Sequence, residues 1–142
     1  MTPYQIDKAT RGERDVKRTR AKKTKRQVAV KHADDWFAKY IKARDRYCVT
    51  CGSDYMLQCS HLFQGRHYST RWREDCAFAQ CKGCHHSHHN KSQLLLIRYA
   101  EKGYSPAWVD ELKRRDNETV DMSSDEIMAL GDKYRELVRG ME

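Results

Sequence analysis

Apolar positions change their period several times along the chain. Residues 8–31 hold few of them and carry eleven lysines or arginines against two acids, Glu13 and Asp15. Such a stretch cannot bury a face, so residues 1–31 are expected as a basic N-terminal arm, disordered or a solvated helix. From His32 to Arg46, Trp36, Phe37, Tyr40 and Ile41 fall at helical spacing, which predicts an amphipathic helix with that stripe buried. Between Cys48 and Cys81 the helical period vanishes, and Gly52, Ser53, Asp54 and Gly65 divide the segment into short strands and loops. The next helix is expected from about Cys84 or His85 to Lys102, ended by Gly103, with Leu94, Leu95, Ile97 and Tyr99 as its apolar residues.

Two further helices follow. Ser105-Pro106 places a capping hydroxyl before a proline at the first helical position, and Trp108, Val109 and Leu112 share a side. Ser123 and Glu126 match a capping box ahead of the stripe Ile127, Leu130, Tyr134, Leu137 and Val138. The chain thus divides into the arm, a core over residues 32–103 and a helical extension over residues 104–142, an α+β arrangement.

Composition sharpens this picture. The chain has 142 residues, 39% hydrophobic and 34% charged, with a mean hydropathy of −0.98. A core of that size gains from a metal staple. The formal charge of +8 and pI of about 9.2 point to a polyanionic partner, nucleic acid or an anionic membrane surface. No stretch approaches the ~18 apolar residues of a membrane span, and "MTPYQIDKATRGERD" has no apolar signal core. The cytoplasm is therefore the expected compartment, and its reducing conditions make the six cysteines metal ligands or free thiols.

Four of them fit a metal. Cys48-x-x-Cys51-Gly52 and Cys81-x-x-Cys84 are separated by 29 residues. A two-residue spacer lets both sulfurs of a tight turn reach one ion, and four thiolates around Zn²⁺ make a closed, structural site. The expected unit is a small treble clef: a knuckle, a hairpin, and a helix whose first turn holds the second pair. Cys59 and Cys76 are left over, as core thiols by default.

With these residues in place, the chain resembles a known family. "RDRYCVTCG", a histidine on the hairpin, and "RWREDCAFAQCKGCH" with Gln80 before Cys81 are similar to the NinG (Rap) recombination nucleases of lambdoid phages, within the HNH or His-Me finger endonucleases. The resemblance runs from about Trp36 to Gly103, and more weakly through "WVDELKRRDNETVDMSSDEIMALGDKYREL". It implies a zinc-bound ββα-metal nuclease core and a metal-dependent DNA endonuclease, with double-stranded, branched or D-loop DNA as substrate, working in the cytoplasm of a phage's host.

The resemblance also implies roles. His61 stands where the family has its general base, and imidazole titrates in the right range to take a proton from water. His67, next to Arg66 and Tyr68, is the second candidate and is read as a substrate contact. His85 directly follows the second cysteine pair, and His89 lies one helical turn on, so both imidazoles can hold one catalytic divalent ion. Mg²⁺ or Mn²⁺ is expected, and imidazole ligands also admit Zn²⁺ or Ni²⁺. His86 and His88 fall elsewhere on the helix and are read as solvated. Arg71 is expected to clamp the scissile phosphate. Arg66, Arg73, Lys82 and Lys91 border the cleft, and Lys22, Lys23, Lys25 and Arg26 of the arm are further candidates for DNA contact. Trp72 is read as a hairpin anchor, with base stacking as the alternative.

Two positions depart from the family. Ser60 replaces the aspartate that often precedes the base and binds the metal, leaving Glu74 or Asp75 to help. Cys76 replaces the asparagine that braces the hairpin, and a thiol is a weak hydrogen-bonding substitute. A non-catalytic zinc-stabilised nucleic-acid-binding module is the competing reading. A third is an adaptor that docks through its terminal helices, and homodimer formation is left open.

Overall fold

The computed structural model describes residues 20–142. Residues 1–19, most of the expected arm, lie outside the described residues. Within the described chain, five helices surround a two-stranded antiparallel sheet, an α+β arrangement.

Helix α1 spans Lys25–Asp45, seven residues longer at its start than the apolar stripe predicted. Two local causes account for the difference. Thr24 and Gln27 form a reciprocal capping box. Ala29 and Ala33 are fully buried and continue the stripe of Phe37, Tyr40 and Ile41 upstream. Small residues do not announce a face as aromatics do, so the sequence made this segment look solvated. Trp36 is only partly buried, with Lys39 Nζ 4.3 Å from its ring centre.

Strands β1 (Leu57–His61) and β2 (Ala77–Cys81) pair with Leu57 opposite Cys81 and His61 opposite Ala77. Helix α2 (Lys82–Asn90) starts at the residue after β2 ends, α3 is Leu94–Gly103, α4 is Pro106–Asp116 and α5 is Ser124–Met141. The single helix expected from about residue 84 to 102 is therefore two. Residues 85–93 include no large apolar side chain to hold a continuous face, and Asn90 and Ser92 hydrogen-bond the backbone locally, to the His86 carbonyl and from the Leu94 N–H. Ser105 and Ser123 cap α4 and α5 as expected.

The main packing pairs α1 with α5. Tyr134 of α5 meets Phe37 edge-on, with ring centres 5.0 Å apart, and its hydroxyl donates to the Trp72 carbonyl at 2.7 Å. Gly131 lies against the His32 ring. A second cluster joins Leu62, Phe78, Leu96, Ala100 and Val109, tying α3 and α4 to the hairpin. Arg44 and Asp45 at the end of α1 clasp β2: Arg44 donates to the carbonyls of Glu74 and Ala77, and the Asp45 carboxylate accepts from the Ala79 N–H. No helix of the described residues is long and apolar enough to cross a membrane.

Candidate metal centre and histidine notch

The sulfurs of Cys48, Cys51, Cys81 and Cys84 lie within 4.8 Å of one another. Four thiolates each ~2.3 Å from one zinc would be roughly 3.8 Å apart, so the cluster fits a structural metal such as zinc. Backbone geometry builds it. The first knuckle closes through Gly52 N–H to the Cys48 carbonyl and Cys48 N–H to the Ser53 carbonyl, at 2.8 and 2.7 Å. Gly52 takes φ of 80°, which a side chain disfavours. Cys81 closes β2, and its sulfur caps α2 by accepting from the Cys84 N–H.

Burial pushes the Cys48 thiol up, but hydrogen bonds from Thr50 and from nearby backbone outweigh it and hold the group down at about 6. A zinc ligand requires the thiolate, and Cys84 goes the opposite way: against a lowering contact from Thr50, burial and the neighbouring thiols push it up to about 12, so in this cluster a bound cation would have to displace that proton. Gln80, buried between the strands, donates to Thr50 Oγ1 and so supports that contact.

Beside this centre is a notch of about 400 Å³ whose walls include Asp34, His61, Arg66, His85 and His89. The hairpin and helix histidines predicted as base and metal ligands thus line one cavity. His61 ends β1, and its Nε2 lies 3.0 Å from the Arg71 carbonyl. A carbonyl only accepts, so Nε2 carries the proton and Nδ1 keeps a lone pair. Burial, followed by the charge of Arg66, pushes His61 down to about 4. It is neutral at physiological pH, as a proton acceptor must be.

His85 Nδ1 lies 2.7 Å from Gln58 Oε1, an acceptor, which leaves the His85 Nε2 lone pair free. That Nε2 is 2.7 Å from His89 Nε2. His89 Nε2–H therefore donates to the His85 Nε2 lone pair. Two ring nitrogens bound to one divalent ion would be about 3 Å apart, so the spacing is near that of a chelate in which a metal would replace the shared proton. Gln58 thereby fixes the tautomer and orientation of the His85 ring. Burial, then the neighbouring His89 and His88, pushes His85 down to about 4.

Other expected residues stand elsewhere. Arg71 is held by the Asp34 carboxylate through Nε and Nη2, at 3.0 and 2.6 Å, which removes it from service as an open phosphate clamp. Arg73 is likewise paired with Asp75, and Asp75 also accepts from Trp108 Nε1, so Asp75 does not assist a metal in the notch. Cys76 is buried with its thiol on the Asp75 carboxylate, and it ties the hairpin only through its carbonyl, which accepts from the Leu62 N–H at 2.8 Å. His67 bonds the Asp116 carbonyl and lines a different cavity. Lys25 pairs with Asp125, and Arg26 reaches the Tyr68 hydroxyl, so these arm residues contact the folded chain, while Lys22 and Lys23 are exposed. Ser60 is buried outside the notch. Lys82 and Lys91 flank α2 without entering the notch.

Three contributors were missed. His88, read as solvated, is buried, and its Nε2 donates to the His61 carbonyl at 2.9 Å, bracing the hairpin from α2. Asp34 gathers Arg71, Arg66 and Trp72 Nε1 on one carboxylate. Gln58 orients His85. For His88 a signal existed: it lies four residues after Cys84, on the same face of the helix as that cysteine. Comparison with family models, with curated proteins and with solved structures returned no match to this chain.

Proposed function

We propose that the chain is a metal-dependent DNA endonuclease of the His-Me finger type, built on a zinc-bound treble clef. One observation carries the reading: a neutral imidazole with a free Nδ1 shares a notch with a paired His85–His89 on the adjoining helix. In this reading His61 Nδ1 accepts a proton from the attacking water, and the Arg71 carbonyl keeps the ring oriented. His85 and His89 hold a divalent ion, Mn²⁺, Zn²⁺ or Ni²⁺ more readily than Mg²⁺ because both donors are nitrogen. Such an ion supplies charge stabilisation at the phosphate and the leaving oxygen. Arg66 and Lys42 both line the notch and are the cations placed to meet phosphate; Arg66 is about half exposed but also pairs with Asp34 at 3.2 Å. Branched or displaced-strand DNA in phage recombination is the substrate setting that the family resemblance suggests.

The test is cleavage of linear, forked, D-loop and four-way DNAs by the zinc-loaded protein, with each divalent metal added in turn. His61→Ala is expected to retain zinc and fold while cleavage falls by about 10²–10⁴-fold. Unchanged cleavage would remove His61 from the role. A second reading, a zinc-stabilised DNA-binding module without catalysis, is favoured by the capture of Arg71 and Arg73 in ion pairs. Binding without cleavage under every metal would establish it.

A further inference from the structure

A second cavity, of about 750 Å³, shares His85 and His89 with the notch and opens on the other side of Gln58. Its outer wall is the turn leading into β1, where Tyr55 is 73% exposed and Met56 48% exposed. These are large side chains on a short, rigid ribbon. The turn is fixed by the Tyr55 N–H donating to Ser53 Oγ, and it follows directly on the zinc knuckle. Met56 is held at φ of 50°, a left-handed backbone that a non-glycine residue seldom adopts. Met56 keeps this uncommon backbone where it and Tyr55 face solvent rather than a core. Lys82, at the start of α2, adds an ammonium to the same cavity.

An aromatic face, a polarisable thioether and a nearby cation suit a nucleobase with its phosphate. Bases inside a duplex are stacked on both faces and offer no free ring surface, so the occupant must be unpaired. We propose that Tyr55 and Met56 form a stacking platform for an unpaired nucleobase, seating a single-stranded DNA segment beside the His85–His89 pair. Its place next to the cleaved phosphate rests on the nuclease reading, whereas the platform itself is read by binding alone.

The experiment uses the full chain carrying His61→Ala, loaded with zinc and free of other divalent metal. Its probes are a labelled oligothymidylate of about a dozen nucleotides and a blunt duplex. Tyr55→Ala is expected to weaken binding of the single strand about ten-fold and leave the duplex unchanged, while Tyr55→Trp retains or tightens single-strand binding. Zinc content and circular dichroism identify any variant that misfolds, and Tyr55→Phe, which keeps the ring, is expected to bind as the parent does. Unchanged single-strand affinity in Tyr55→Ala would overturn the platform, as would an equal loss on single strand and duplex. If the unsubstituted protein cleaves no DNA with any metal while Tyr55→Ala still loses the single strand, the nuclease reading falls and the platform stands.

Discussion

At the scale of single residues, Asp34 does the most with one side chain. Burial raises its carboxyl, but Arg71, Arg66 and the Trp72 indole outweigh it and hold the group below the usual aspartate range. Arg71 in turn presents the carbonyl that orients His61. Asp34→Ala leaves Arg71 largely buried and unpaired, so a loss of roughly 3 kcal/mol is expected in urea denaturation. Asp34→Asn, which keeps an acceptor for Trp72, should lose less. His61 makes a separate prediction about acid. Folded, it binds a proton only near pH 4, whereas an unfolded histidine does so near 6.5. The unfolded chain therefore holds the extra proton in that window, and stability falls as pH drops from 6.5 toward 4. His61→Asn is expected to flatten the pH dependence of the unfolding free energy there, measured against the parent so that the zinc ligands' own titration cancels. Neither Asp34 nor Gln58 was legible beforehand, because a long-range hydrogen bond leaves no trace in local spacing; His88 alone carried a signal, its helical spacing from Cys84.

At the scale of elements, legibility followed the size of the side chains. Phe37, Tyr40 and Ile41 revealed α1, Ser105-Pro106 revealed α4 and Ser123 revealed α5. Ala29 and Ala33 hid the first turns of α1, and the polar run 85–93 hid the break between α2 and α3. Close approach of α1 and α5 depends on Gly131, since a Cβ there would run into the His32 ring. Gly131→Ala should destabilise the fold by about 1–3 kcal/mol in thermal or urea unfolding. Gly83 makes the contrast: a Cβ there meets nothing within 4 Å. Gly83→Ala is expected to be neutral or to stabilise α2 by up to about 1 kcal/mol.

At the scale of the whole molecule, two cores meet at the hairpin. The α1–α5 core rests on helix packing and on Tyr134, whereas α2 is capped by Cys81, one of the four cysteines that could hold a metal. If the four cysteines hold zinc, chelation should remove part of the helical circular dichroism, together with any cleavage that the proposed function predicts, and adding Mg²⁺ or Mn²⁺ alone should restore neither. The four cysteines were readable from spacing because a tetrahedral ion imposes that spacing. The basic arm was readable as charge, but Lys25 and Arg26 turn out to join α1. Deleting residues 1–24 is expected to flatten the dependence of log K on log salt by about 0.9 for each phosphate that those residues neutralise. An unchanged slope would place their charges off the DNA.

Cys81 is at once the last residue of β2, the cap of α2 and a candidate metal ligand, so strand and helix join with no slack between them. The helix is thereby phased like a gear on a fixed shaft. One alanine inserted after Cys84 would leave all four sulfurs in place but rotate every later side chain about 100° around the axis. Such a protein is expected to bind zinc at its four cysteines as the parent does while His85 and His89 swing out of mesh with His61, so that metal content and any cleavage part company in a single lesion.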